Sequence, residues 1–381
     1  MTTTETTSTS WFSRLGNSLK NIVLGIVFVV GTMMLLFWNE GRAVKTEQGL
    51  KEGLSSVISV SPDKKDAKNE GKLIHFTGMA IAPNTLTDEE FAITKEALKM
   101  KRTVEVYQWS EEVKSKTVEK LGGGTETTTT YTYTKKWSDS IIDSANFKES
   151  ELHQNPTSKL IADKEWIAEG VTVGTFNISK DMLSALNGYQ PFSLSQEMVN
   201  LQSTTMSAQL QLVGGTIYYQ TKDAAVPEIG NTRITYEVVT PQDISVIYKQ
   251  EGDSLVPYQT KNGSIISMIQ TGKATAEEMF KNAQESNKTV TWILRAVGIL
   301  FMFIGFQMIF SVLQVIGSVV PFIGRIIGMG TGLVAGILTI ILASIVIAIA
   351  WIFYRPIIGI GLIIIAIVAY IYLMKNSKKQ A

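Results

Sequence analysis

The stretch Ala296–Met374, AVGILFMFIGFQMIFSVLQVIGSVVPFIGRIIGMGTGLVAGILTIILASIVIAIAWIFYRPIIGIGLIIIAIVAYIYLM, carries two charged side chains, Arg325 and Arg355. A water-soluble domain does not bury so long an apolar run, and a helix needs about 20 apolar residues to cross hydrocarbon. The carboxyl-terminal fifth of the chain is therefore read as lying in a bilayer. A second apolar run, Ile22–Trp38, sits near the other end. Residues 40–290 between them mix polar and apolar side chains in ordinary proportion, which makes a domain held to the membrane by both of its ends.

The spacing predicts four membrane helices, one amino-terminal (21–39) and three carboxyl-terminal (292–314, 331–354 and 356–374) within residues 291–375. Residues 1–20 are expected to be a disordered Thr/Ser tail, Met1–Ser10, followed by a short interfacial helix. Trp11, Phe12, Leu15 and Leu19 recur there at helical spacing. No small-x-small cleavage site follows the first span, so it reads as an uncleaved anchor. Pro321, the Arg355–Pro356 pair and several glycines mark the breaks; residues 315–330 are expected to form an interrupted segment. Four crossings put both termini on one side, and Lys375, Lys378 and Lys379 in the tail (376–381 and its approach) assign that side to the cytoplasm. Residues 40–290 then face outside. Trp11, Trp38, Trp292, Arg295, Arg325 and Arg355 are the expected interface anchors.

Gly324, Gly328, Gly332 and Gly336 form an i, i+4 series, one face of a helix without side chains. Such a glycine zipper lets another backbone approach closely, in an intramolecular hairpin or in a homo-oligomer. Arg325 could line an anion path if its segment were re-entrant. The commoner arrangement is an arginine that snorkels to the phosphates. The spans hold no Asp or Glu, which argues against a proton relay or a cation transporter.

In the middle region Leu73–Ala82, Arg102–Val113, Glu126–Trp137, Val171–Ile178, Gly215–Gln220, Thr232–Val239, Ile244–Lys249 and Ile265–Gln270 read as strands. Leu121-Gly122-Gly123-Gly124 joins two of them into a hairpin, and Lys261-Asn262-Gly263 makes a second turn. Helices are expected at Thr87–Ala97, Ser179–Asn187 and Thr275–Asn287, with Ser179 and Thr275 as N-caps. Thr275-Ala276-Glu277-Glu278 matches a capping box. The whole is an α+β domain with a mainly antiparallel sheet, carried on a four-helix membrane anchor.

The 35 Lys/Arg and 34 Asp/Glu side chains nearly cancel, leaving no basic face for nucleic acid. There is no cysteine, which excludes disulfides, thiol catalysis and thiolate metal sites. The two histidines, His75 and His153, fall in no metal-ligand spacing. The adjacent acids Glu89-Glu90, Glu111-Glu112 and Glu277-Glu278 sit in charged contexts and read as surface. The sequons at Asn177, Asn262 and Asn287 matter only in a eukaryotic lumen. No catalytic, cofactor or metal constellation is visible.

Asn39-Glu40-Gly41-Arg42-Ala43-Val44, just after the first span, resembles the signature of the LUMA family, the transmembrane protein forty-three family. Tyr131-Thr132-Tyr133-Thr134-Lys135-Lys136-Trp137 with Ile141, Ile142 and Phe147 is similar to the family's aromatic strand and its sequel. His153-Gln154-Asn155-Pro156, the stretch 230–246, Leu255-Val256-Pro257-Tyr258, and residues 272–280 leading to Trp292-Ile293-Leu294-Arg295 follow in family order. The resemblance covers the chain from about residue 20. It implies four spans, a large extracytosolic domain and cytosolic termini. Animal members reside in the endoplasmic reticulum and inner nuclear membrane, self-associate and bind emerin and lamins; some are linked to ion-channel regulation. The missing cysteines and minimal tail suit a bacterial member, in an inner membrane with a periplasmic domain. The expected function is a non-enzymatic membrane scaffold that self-associates and organises membrane protein complexes through its extracytosolic domain, with membrane lipids, further copies of itself and other membrane proteins as partners. The alternative is a channel, transport or lipid-handling protein.

Overall fold

The computed structural model describes residues 2–196, 210–221, 223–356, 361 and 364. The α-helices among these residues are α1 (Trp11–Ser56), the short α2 (Lys180–Ser184), α3 (Ala276–Gly317) and α4 (Pro321–Tyr354). Among the described residues α1, α3 and α4 are the three long and apolar enough to cross a membrane. The fourth expected span, 356–374, lies almost wholly outside the described residues. The chain forms two compact units. One is Met1–Thr4, Glu52–Lys114 and Thr130–Phe280, rich in sheet; the other is Glu5–Lys51, Ser115–Thr129 and Lys281–Ala381, built on the long helices.

The sheet unit follows the alternation of its sequence. In Thr232–Val239, the residues Thr232, Ile234, Tyr236 and Val238 are buried while Arg233, Thr235 and Glu237 between them are half-exposed. The partner Lys99–Glu119 runs antiparallel, with Ile234 opposite Val104 and Tyr236 opposite Arg102. This sheet continues through the antiparallel pairs Thr216–Tyr219 and Leu210–Val213 on one side, and through Thr125–Ser138 and Thr2–Thr9 on the other. A second sheet centres on Asp243–Glu251, flanked antiparallel by Leu73–Ile81 and Met268–Thr271. Its middle residues 244–248 are all buried, an apolar run broken at Ser245, whose hydroxyl donates to the Gly272 carbonyl at 2.9 Å. Two cores result. One packs Phe76 on Phe176, rings stacked 4.4 Å apart, with Ile74, Val246 and Leu183; the other gathers Phe91, Met100, Val104, Ile217 and Ile234. At Gly174 (φ +57°) a Cβ would stand 2.2 Å from the Pro62 carbonyl, so only glycine closes that turn.

Several local expectations hold. Ser179 caps α2 by accepting from Met182 N, and the capping box closes both ways, Thr275 N to Glu278 Oε2 at 2.9 Å and Glu278 N to Thr275 Oγ1 at 3.2 Å. The Asn262-Gly263 turn joins Tyr258–Gln259 to Ile265–Ile266.

Three expectations are corrected. Thr87–Ala97 is no helix but a small hairpin, Leu86–Asp88 against Ile93–Lys95, with Ala92 in the left-handed region at φ 53°. Its geometry is fixed by Asp88, which accepts from the Arg102 guanidinium at 2.8 Å and from the Tyr236 hydroxyl at 2.7 Å. A helix would turn that buried carboxylate away. Thr2–Thr9 is a strand on Thr125–Ser138, because a free strand edge offers backbone partners that composition does not reveal. Residues 315–330 are not an interrupted loop. The turn is confined to 318–320, and Pro321 stands at the first position of α4, where its missing N–H costs nothing.

In the helical unit, Leu36, Met302, Ala343 and Val346 form a small core. The outward residues Phe322, Met329, Leu333, Ile340 and Phe353 are largely exposed, a surface stable in lipid and not in water. The helices cross closely at glycines. A Cβ on Gly25 would stand 2.6 Å from the Gly305 carbonyl, and one on Gly305 would stand 3.0 Å from the Gly25 carbonyl.

Candidate functional site at the end of the helix bundle

Four consecutive residues of α1 form a polar hub. Asn39, wholly buried, donates to the Thr291 carbonyl at 3.1 Å. Glu40, 1% exposed, accepts from Arg295 Nε at 2.6 Å and Nη2 at 2.8 Å and from Trp351 Nε1 at 2.8 Å. This fork-to-fork geometry is the strong form of an ion pair. Gly41 leaves room for Tyr354, whose ring lies 2.5 Å from where a Cβ would be. Arg42 donates to Asn287 Oδ1 at 3.0 Å and to Thr291 Oγ1 at 2.9 Å. Asn287 returns a bond to the Ala43 carbonyl at 3.0 Å. Successive residues on a helix fan around its axis, so this run addresses α3 and α4 together. Further along, Glu47 accepts from Arg355 Nη2 at 2.7 Å and from Lys51 Nζ at 2.7 Å. The Arg295 guanidinium lies 4.7 Å from the Trp292 ring centroid and 5.9 Å from that of Trp351.

A second cluster closes the other end of the same unit. Trp11 Nε1 donates to the Val315 carbonyl at 2.9 Å. Arg14 bonds Glu119 at 3.0 Å, Ser318 Oγ at 3.0 Å and the Gly123 carbonyl. Gly122 N donates to the Val319 carbonyl at 3.0 Å. Residues 115–129, the hairpin tip, thus meet the start of α1 and the α3–α4 turn. Twenty-six helical residues separate Arg14 from Glu40, about 39 Å at the rise of an α-helix, enough to span hydrocarbon between the clusters.

Of the expected interface residues, Trp292, Arg295 and Arg355 come together at the hub. Trp11 is at the opposite end, and Trp38 and Arg325 are exposed on α1 and α4. The glycine series faces α3 of the same chain. Cβ atoms at Gly324, Gly328, Gly332 and Gly336 would stand 2.8, 3.1, 3.3 and 3.9 Å from Ser318, Gln314, Gln307 and Phe303. That face serves the α3–α4 hairpin, and Gln314 is spent within it. Both histidines lie in the sheet unit among close partners. His75 lies between Ser59 Oγ at 3.2 Å and the Ala274 carbonyl at 2.9 Å, and burial holds its imidazole below the usual range. His153 stacks on Tyr133 at 3.8 Å. Among the described residues no group of His, Asp and Glu could hold a metal ion. Sequence reading missed the partners of the hub, Asn287, Thr291 and Trp351, and the Gly25–Gly305 crossing. Glycines facing each other in two apolar runs were the available signal for the crossing.

A bundle of apolar helices pinned by buried polar clusters at its ends, joined to an antiparallel sheet domain, defines an integral membrane protein. The sequence model of the family described as Transmembrane protein 43 matches residues 106–356, and the chain belongs to that family. It is 30% identical over 359 residues to "Transmembrane protein 43" of Rattus norvegicus, covering 91% of this chain and 87% of the relative. The Homo sapiens protein of that name is 29% identical with the same coverage. The "Transmembrane protein 43 homolog" of Drosophila melanogaster is 29% identical over 93% of this chain and 94% of its own length. No solved structure matches.

Proposed function

We propose that this chain is a non-enzymatic membrane scaffold. It associates with copies of itself and gathers other membrane proteins through a domain outside the cytoplasm, with both termini cytosolic. In a bacterium that places it in the inner membrane, and in a eukaryote in the endoplasmic reticulum or nuclear envelope. The tail lysines Lys375, Lys378 and Lys379 support the orientation. The buried carboxylate of the hub, Glu40, is spent on Arg295 and Trp351, which suits a structural clamp better than a reaction centre.

One observation carries self-association. Residues 115–129 group with the membrane helices at the Arg14 end, the end assigned here to the cytoplasm. From Ser110 to Glu119 the strand edge opposite 125–138 has no strand partner among the described residues. An open strand edge is a template for pairing with another chain, and a neighbouring copy presenting its own ribbon closes it. The glycine face, already occupied by α3, is not the contact.

The test is a single cysteine, Ser115→Cys, in a chain that has no other thiol. Disulfide crosslinking between copies in native membranes, with a multimeric mass in mild detergent, is expected. A monomeric mass with no crosslink overturns self-association through the ribbon. A second reading, a channel, draws on the same ribbon, whose threonines would line a water-filled path inside an assembly. Ion flux from liposomes that is altered by Thr117→Val would favour it over the scaffold, and no flux would remove it.

A further inference from the structure

The geometry points to a phospholipid-binding site in the cavity beside the hub, which takes the phosphate-bearing headgroup of a lipid from the surrounding leaflet. This inference is independent of whether copies associate. The cavity is about 290 Å³ and lies among Glu40, Glu47, Lys288, Arg295, Trp351 and Arg355. Its depth identifies the source of the ligand. Glu40, Arg295 and Arg355 are the first charged residues beyond the apolar runs of α1, α3 and α4 at this end, the level at which headgroups stand. Trp292 and Trp351 flank it, as indoles do at the glycerol level.

The charge balance identifies the chemistry. Three cations face two carboxylates. Glu40 already accepts three hydrogen bonds and Glu47 two. The donors are not used up. Among the described residues no hydrogen bond engages Arg295 Nη1 or Arg355 Nε and Nη1. The exposed Lys288 ammonium interacts with Glu47 only through space. Unused donors on fixed guanidinium planes suit phosphate oxygens. The volume fits a headgroup and excludes acyl chains, which remain in the adjoining hydrocarbon.

The test uses the full chain, delipidated in detergent and placed in nanodiscs of phosphatidylcholine, of phosphatidylglycerol, or of a galactolipid that lacks phosphate. Native mass spectrometry is expected to show phospholipid retained in preference to galactolipid. Titrated phospholipid should raise the melting temperature. Lys288→Ala combined with Arg355→Gln should weaken retention about tenfold or more, since one charge-assisted bond is worth at least that. Glu47→Gln breaks the same Arg355 pair but leaves the cationic donors, so retention should survive it. Equal retention by the double variant, or equal loss in Glu47→Gln, overturns the site. Matching stabilisation by inorganic phosphate alone overturns the lipid as its source.

Discussion

Replacing Glu40 by glutamine keeps the shape of the hub and removes its negative charge. Arg295 then faces an amide that cannot accept both of its N–H groups, while Trp351 loses a charged acceptor. Breaking a buried ion pair by removing one partner costs about 3–5 kcal/mol. The Arg295 side chain is 13% exposed against 2% for Glu40, so the stranded cation regains some solvation, and the lower end applies, about 3 kcal/mol. At the usual slope for large domains that is a fall in melting temperature of about 6–12 °C. Arg295→Met strands the carboxylate, which is the more buried partner, and should cost the full range, about 3–5 kcal/mol. The double variant leaves no uncompensated charge, so its cost should fall short of the sum by about 2–3 kcal/mol. Thermal unfolding of the four proteins in one detergent, followed by tryptophan fluorescence, measures the cycle. Additivity to within about 0.5 kcal/mol would refute the claim that these two side chains act as one buried unit.

Gly25→Ala should destabilise by about 1–3 kcal/mol because the new methyl meets backbone at 2.6 Å, whereas Gly336→Ala, in ordinary contact at 3.9 Å, should be neutral or mildly stabilising. Denaturation in graded detergent mixtures ranks the two, and the reverse order would contradict the helix crossings. Leu121→Cys with Val319→Cys should be joined within one chain by a short bifunctional maleimide, since the adjoining Gly122 N bonds the Val319 carbonyl at 3.0 Å; labelling of the two from opposite membrane faces would place the hairpin tip elsewhere. His75 titrates below its ordinary range in the folded protein, so the unfolded chain binds the proton first. Its contribution is therefore present at pH 7 and lost as pH falls from about 6.5 through the folded value. Urea midpoints between pH 7 and 5 should decline, and His75→Gln should flatten that decline, above the range in which carboxylates respond.

Much of this architecture could be read from residue order because it rests on local physics. Apolar length marks the helices, alternation marks Thr232–Val239, and Thr275 with Glu278 closes a cap that needs no distant partner. What failed to show depends on contacts remote in sequence. Residues 87–97 have helical spacing, but Asp88 is held by Arg102 and Tyr236 from two other strands. The amino-terminal threonines have the composition of a tail and lie on a strand edge that the sequence does not announce. Pro321 and the glycines after it up to residue 330 suggested a break because both residue types interrupt helices in water. Here the glycines persist in α4 because α3 fills the groove they leave. The signature Asn39–Arg42 could be noticed as a motif, yet its meaning lies about 250 residues away, at Asn287, Thr291 and Arg295.

That meaning follows from where the hydrophobic effect stops. Inside lipid, apolar side chains gain nothing by leaving other apolar surroundings, so α1, α3 and α4 receive little orientation from their outward faces. Close glycine contacts set how near the helices lie, but they allow sliding and rotation. A buried carboxylate cannot slide, because any shift along the helix parts it from the fork of Arg295 and the indole of Trp351 at the full desolvation cost of the charge. Gly41 adds a steric limit against Tyr354, and Asn39 and Arg42 fix the rotation of α1 on α3. Placed at the boundary, this hub draws on hydration for Lys288 and Arg355 while keeping Glu40 dry, a combination that exists at neither the bilayer centre nor the open surface. A register lock therefore belongs at this depth, where one carboxylate can be kept dry while its neighbouring cations stay hydrated.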